Sequence, residues 1–300
     1  REHQPQRPLP AMQNNQGASE AKMRKRSIVV LFSLVLTFFC TALAEARVKV
    51  SVTILPQAYF VERIGGTHVD LRVIVPPGGN PETYEPSPSQ LFHLSSSQLY
   101  IKVGSPHLSV EKRFQHFIAD NRKNIRVVDM SSGLKNLKQE DPHIWLSPAI
   151  VAQAARNVCL ALSAVDPAHA GYYRKNLLRF SGDIDRLDRR IKQRLQGKTG
   201  YTFMVYHPAW GYFAEAYGLR QLAMEEEGKP LNASRLRKMI DLAKSKGIKT
   251  IFVQKGFDKK SAAMIAREIK GAVVEIDPLA KDWLKNLDDF SRILEDRLRP

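Results

Sequence analysis

Between Asp166-Pro167 and Gln196-Gly197 the chain carries the pattern of a single long helix, and both of its ends are marked. Asp166 is suited to accept the first free backbone N–H groups as an N-cap, and Pro167 suits the first helical position, where its missing N–H costs nothing. Gly197 supplies a left-handed stop. Leu177, Phe180, Ile184, Leu187, Ile191 and Leu195 recur at steps of three and four, while Arg174, Lys175, Asp183, Asp185, Arg189 and Arg190 occupy the other face. At 1.5 Å per residue such a rod is roughly 45 Å long and crosses a whole domain. Strand-like and helical patterns alternate before it and again after it. The expected class is therefore α/β: two lobes, each a parallel sheet flanked by helices, joined by one long backbone helix. A long surface helix of a single domain is the alternative on pattern alone.

The predicted strands of the first lobe are Val48–Ile54, Val69–Val75, Gln98–Val103 and Arg126–Val128. Those of the second are Tyr201–Tyr206, Leu219–Met224, Thr250–Gln254 and Ala272–Ile276. The expected organisation is an upstream segment foreign to the mature protein over 1–22, a signal peptide over 23–46, a first lobe over 47–165, the connecting helix over 166–197 and a second lobe over 198–300. The signal peptide rests on Arg24-Lys25-Arg26, the apolar run Ile28 to Phe39 and the small residues Ala42, Ala44 and Ala46. That run is shorter than the roughly 20 residues a membrane span needs. Cys40 follows the bulky Phe38-Phe39, which argues against a lipid anchor and for a soluble, exported, periplasmic protein. Beyond residue 46 only Cys159 remains, so no internal disulfide is expected.

Residues 47–300 hold 40 Lys/Arg and 27 Asp/Glu, a net +13. In a cytosolic chain this would suggest nucleic acid, but export and the absence of aromatic interleaving exclude that partner. A solvated basic surface, with some attraction to anionic lipid, is the expectation.

In open α/β sheets ligands gather beyond the carboxyl ends of the strands. Four such ends each carry one metal-competent side chain next to a proline: Pro81-Glu82, Pro142-His143, His207-Pro208 and Asp277-Pro278. Rigid turns hold metal ligands in place, and two imidazoles with two carboxylates suit a borderline divalent ion such as zinc or manganese. Each signal is weak alone; four at equivalent positions, two per lobe, reinforce one another. His68, His93, His107, His116 and His169 fall in helical or turn contexts and are not expected to be ligands. Glu225-Glu226-Glu227 reads as a solvated turn before Gly228.

The segments Pro-Glu-Thr-Tyr-Glu-Pro-Ser-Pro-Ser (81–89), Asp-Pro-His-Ile-Trp-Leu-Ser-Pro (141–148), Tyr-His-Pro-Ala-Trp-Gly-Tyr-Phe (206–213) and Ile-Asp-Pro-Leu-Ala (276–280) resemble the solute-binding proteins of ABC-type zinc and manganese importers, the ZnuA/TroA type. The resemblance extends over Arg47–Pro300. It implies one metal in the cleft between two lobes, held by Glu82, His143, His207 and Asp277, in a non-catalytic, monomeric receptor that serves a membrane permease. Two departures bear on the metal: Glu82 stands where many relatives have His, and Leu134–Glu140 is short where many zinc-specific relatives have a His-rich loop. Zinc is still the first expectation and manganese the second. The competing functions are a secreted zinc-dependent hydrolase using the same residues and a receptor for a metal chelate. If both His143 and His207 are ligands, proton competition should weaken binding as pH falls below about 6.

Overall fold

The structure is a computed structural model, and it describes residues 46–105, 107–120, 125–135, 137–138, 140–225, 232–257 and 259–298. The expected upstream and signal segments, apart from Ala46, lie outside the described residues, as do Glu226 and Glu227.

The first lobe alternates β1 (Val48–Val52), α1 (Leu55–Gly65), β2 (Val69–Val73), α2 (Pro88–Ser95), β3 (Leu99–Lys102), α3 (Ser109–Asp120) and β4 (Arg126–Asp129). Two helices follow, α4 (Pro148–Val165) and α5 (Ala170–Arg194). The second lobe then runs β5 (Thr202–Val205), α6 (Gly211–Ala216), β6 (Arg220–Ala223), α7 (Ala233–Ser245), β7 (Thr250–Gln254), α8 (Lys260–Glu268), β8 (Ala272–Ile276) and α9 (Trp283–Arg297). The sheets have the same order, β2-β1-β3-β4 and β6-β5-β7-β8, and every pairing is parallel. Helices cover both faces of such sheets, so their central strands are largely buried; all five residues of β7 are, including the polar Thr250 and Gln254 at its ends.

Local chemistry sets several boundaries. Ser87 accepts the Gln90 N–H while Gln90 Oε1 accepts the Ser87 N–H, a reciprocal cap that starts α2 at Pro88. Asn232 caps α7 through the Arg235 N–H, and Asp282 caps α9 through the Lys285 N–H, so α9 begins at Trp283.

The long helix is present, but its start differs from expectation. Pro167–His169 form a 3₁₀ turn, and the α-helix begins at Ala170. Asp166 makes no side-chain cap; its carboxylate accepts the Tyr173 hydroxyl at 2.5 Å and the His169 Nδ1–H at 2.7 Å. Those partners compete for the oxygens a cap would use. Burial disfavours the Asp166 charge, but these two hydrogen bonds outweigh it and hold the carboxyl below its usual range. Phe180, Ile184, Leu187, Ile191 and Leu195 are buried as the periodicity requires, joined by Tyr173 and Asn176; Leu177 is only half-buried.

One contiguous core runs through both lobes and along α5, and a smaller one, including Met204, Met239, Ile251 and Ile265, lies under α7 and α8. Trp283 of the second lobe packs edge-on against Phe60 of α1, with ring centroids 5.4 Å apart. Its indole N–H donates to the Trp145 carbonyl at 2.5 Å, while the Trp145 indole donates to the Pro278 carbonyl at 2.8 Å. These buried reciprocal bonds fasten the first lobe's exit loop, which carries His143, to the second lobe beside Asp277.

Candidate metal centre

Glu82 lies in the long loop between β2 and α2. The Asn80 side chain accepts its backbone N–H at 2.9 Å, and the Ser109 hydroxyl at the start of α3 donates to its carbonyl. The backbone is thus held from both sides, and the half-buried carboxylate points toward two histidines.

His143 precedes a 3₁₀ turn, Ile144–Leu146, whose Trp145 is fixed as described. Its backbone N–H and its ring Nδ1–H both donate to Asp141 Oδ1, at 3.0 and 2.8 Å. His207 follows β5, and its Nδ1 donates to Glu225 Oε1 at 3.2 Å. Each imidazole therefore has Nδ1 occupied by a carboxylate, which leaves Nε2 available as a donor atom. Both Nε2 atoms face Glu82 Oε1, at 3.6 Å from His143 and 3.3 Å from His207. One ligand-competent atom of each of Glu82, His143 and His207 lies within 4.8 Å of the others, the separation expected of groups around one ion. Both histidines are 5 % exposed, which keeps competing water away from most of the imidazole surface.

Asp277, the fourth expected residue, ends β8. Its Oδ1 accepts the Leu279 N–H at 2.9 Å, and its carbonyl accepts the Asn286 side chain at 2.7 Å. It lines a cavity of about 310 Å³ together with His143 and His207. It does not join the 4.8 Å group, so the structure brings three of the four residues together and leaves the fourth elsewhere on the cavity lining. On the other side of the cluster an open groove is bordered by Glu82, Glu140, Asp141 and Glu225 among Lys138 and Arg235.

The electrostatics follow from this crowding. Burial works against a charge on His207, but hydrogen bonds to Glu225 and Glu82 and the attraction of both carboxylates outweigh it, raising its pKa to about 9. Burial likewise opposes the Glu82 charge, while His207 and then His143 more than offset it, so the Glu82 carboxyl sits below its usual range.

Two members of this arrangement were not assigned from the sequence. Glu225 is not in a solvated turn: it is 8 % exposed and bonded to His207, because its N–H donates to the Tyr206 carbonyl at 2.9 Å and prolongs the β5–β6 pairing by one residue. Adjacency of β5 and β6 in a parallel sheet is the signal that would have placed it there. Asp141 was quoted in a motif but given no role. Gly211 makes room for it, since a β-carbon at that position would come within 2.5 Å of Asp141 Oδ2. His68 and His169 stack on each other at 3.8 Å and are not part of the cluster.

Comparison with known proteins agrees with this picture. A family model described as zinc-uptake complex component A, periplasmic (ZnuA), matches residues 50–299. A crystal structure of ZnuA superposes with a TM-score of 0.80 at 36 % identity, covering 84 % of this chain and all of that one. A zinc-bound ZnuA deletion mutant gives a TM-score of 0.79 at 35 % identity over 85 % of this chain and 99 % of that one. Among sequences, a putative metal-binding protein of Chlamydia trachomatis is 27 % identical over 86 % of this chain and 95 % of its own length. The high-affinity zinc uptake system protein ZnuA of Bacillus subtilis is 24 % identical over 84 % and 82 %. These relatives and structural neighbours are metal-binding proteins, not enzymes. With two equally ordered parallel sheets, one long helix, a pair of carboxylate-backed histidines in the loops beyond the strands and a family match across nearly all of the described fold, the chain belongs to the ZnuA family of periplasmic zinc-uptake components.

Proposed function

We propose that this protein captures a divalent transition metal as cargo, zinc ahead of manganese, and delivers it to an ABC-type importer. The observation that carries the reading is the convergence of the His143 and His207 Nε2 atoms on Glu82, each ring backed by its own carboxylate. Nδ1–carboxylate bonds fix each ring with its Nε2 turned toward the ion, as in carboxylate–histidine–metal sites. Asp277 supplies a second donor from the second lobe beside His207, completing an N₂O₂ set around the ion. Two imidazoles favour zinc by the Irving–Williams order, and the ZnuA mutant of similar fold holds zinc. Glu82 in place of a third imidazole moderates that preference.

Chelator-competition titration tests the reading. One zinc per chain is expected, with affinity reduced at least a hundredfold in His143→Ala and in His207→Ala. Binding that survives both substitutions would overturn it.

A further inference from the structure

Gln254 ends β7 and lines the same 310 Å³ cavity as His143, His207 and Asp277. It is 6 % exposed, and its Oε1 has no hydrogen-bond partner, one of two buried side-chain atoms so placed among the described residues. The other, Trp210 Nε1, belongs to a ring that packs in the aromatic core against Phe290. A buried acceptor left without a donor is costly, and native proteins keep such groups where an ion, a water or a ligand completes them. The cavity is also much larger than a bare cation: at about 30 Å³ per water, it has room for several. Its remaining walls are mostly apolar, from Ile54, Val75–Pro77, Phe257, Pro278 and Leu279, with Asn80 and Lys255 as the other polar side chains that line it. The loops above it approach closely, since a β-carbon on Gly256 would stand 3.4 Å from the Gly78 carbonyl. A few convergent polar groups in an apolar chamber beside a cation site describe a subsite for something carried with the cation.

We infer that Gln254 Oε1 receives a hydrogen bond from a water retained on the bound cation, so that the cargo is held as an aqua complex and not stripped to protein ligands alone. A cation-bound water is polarised by the metal and is a stronger donor than free water, so it satisfies the orphaned amide oxygen best. The neutral amide suits this role. It accepts from the water without adding a further negative charge to a site that already holds Glu82 and Asp277. Cations that tolerate five or six ligands, manganese above all, gain most from such a subsite; zinc gains as a five-coordinate ion.

The inference rests on the cluster holding the cation, and its test separates the two. Wild-type protein loaded with Mn²⁺ should enhance water-proton relaxation in the manner of an ion with at least one exchangeable inner-sphere water. Gln254→Met, of similar length but with no acceptor oxygen, should lower Mn²⁺ affinity about tenfold and zinc affinity less. The same variant should raise the melting temperature of metal-free protein by a few degrees, because an unsatisfied buried oxygen has been removed. Absence of inner-sphere water in the wild-type Mn²⁺ complex would overturn the inference, even if Gln254→Met failed to fold. Unchanged Mn²⁺ affinity in a folded Gln254→Met protein would overturn it as well. Loss of binding in His207→Ala bears only on the cluster, so a failure of the water subsite with that loss intact leaves the proposed function standing.

Discussion

Replacing Glu225 by Gln should change how metal affinity depends on pH more than it changes affinity at any one pH. In the metal-free protein His207 titrates at about 9, so at pH 7 roughly 99 % of the rings carry a proton that the cation must displace. Two pH units of proton competition correspond to about a hundredfold in apparent affinity, or ~3 kcal/mol. Wild-type affinity should therefore rise close to tenfold per pH unit between pH 6 and 8.5, a window well above the one expected for an unperturbed imidazole. Glu225→Gln removes one of the two carboxylates that raise the His207 pKa, moving it back toward 6.5 and flattening the profile above pH 7. The same change removes the partner that keeps the ring basic and oriented, which costs roughly 10–100-fold in intrinsic affinity. Near pH 6.5 the two effects largely cancel; only above about pH 9 does the intrinsic loss stand alone. Chelator-competition titrations at half-unit pH steps measure both slopes. Calorimetry in buffers of different ionisation enthalpy counts protons released, near one per cation at pH 7.5 for the wild type and fewer for the variant. Parallel pH profiles for the two proteins would refute the reasoning.

The remaining expectations concern stability, metal choice, packing and domain motion. Because the folded-state pKa of His207 is raised, its contribution to metal-free stability is complete below about pH 6.5 and is lost as pH rises through 9, so the metal-free melting temperature should fall across that window and do so less in Glu225→Gln. Glu82→His should increase the preference for zinc over manganese, and Glu82→Ala should weaken both, as read by paired competition titrations; unchanged affinities in Glu82→Ala would remove Glu82 from the ligand set. Gly211→Ala should displace Asp141 and lower metal affinity about tenfold while the melting temperature changes little; wild-type affinity in that variant would show that the Asp141 contact does not orient His143. Since one core and the Trp145–Trp283 bonds join the lobes, small-angle scattering should find nearly the same radius of gyration with and without metal, and a difference of several ångströms would contradict this. Trp283→Ala should cost about 3–5 kcal/mol by chemical denaturation.

Much of the fold was legible because its signals are local. Strand-forming runs such as Thr250–Gln254, the apolar stripe Phe180–Ile184–Leu187–Ile191 and the Ser87-Pro88 start are set by residues a few positions apart. Flanking prolines in the loops beyond the strands mark Glu82, His143 and His207, which the structure brings together, and Asp277, which it leaves outside that group. What stayed hidden depends on contacts between distant residues. Glu225 looked like one of three solvated acids, and only its bond to the Tyr206 carbonyl brings it beside His207, 18 positions earlier. Asp166 had the right type and place for a cap, yet Tyr173 and His169 claim its oxygens. The pH window of metal binding was expected near 6 for the same reason: an imidazole between two carboxylates cannot be recognised until the fold has assembled it.

The account turns on where the cation sits. Anomalous diffraction at the zinc edge from crystals of the zinc-loaded protein answers that directly. A single strong peak is expected about 2.0–2.2 Å from the His143 and His207 Nε2 atoms and a Glu82 oxygen, with an Asp277 oxygen completing the set. A peak elsewhere, or one reached by fewer than two of these residues and enclosed by a bound chelator, would contradict it.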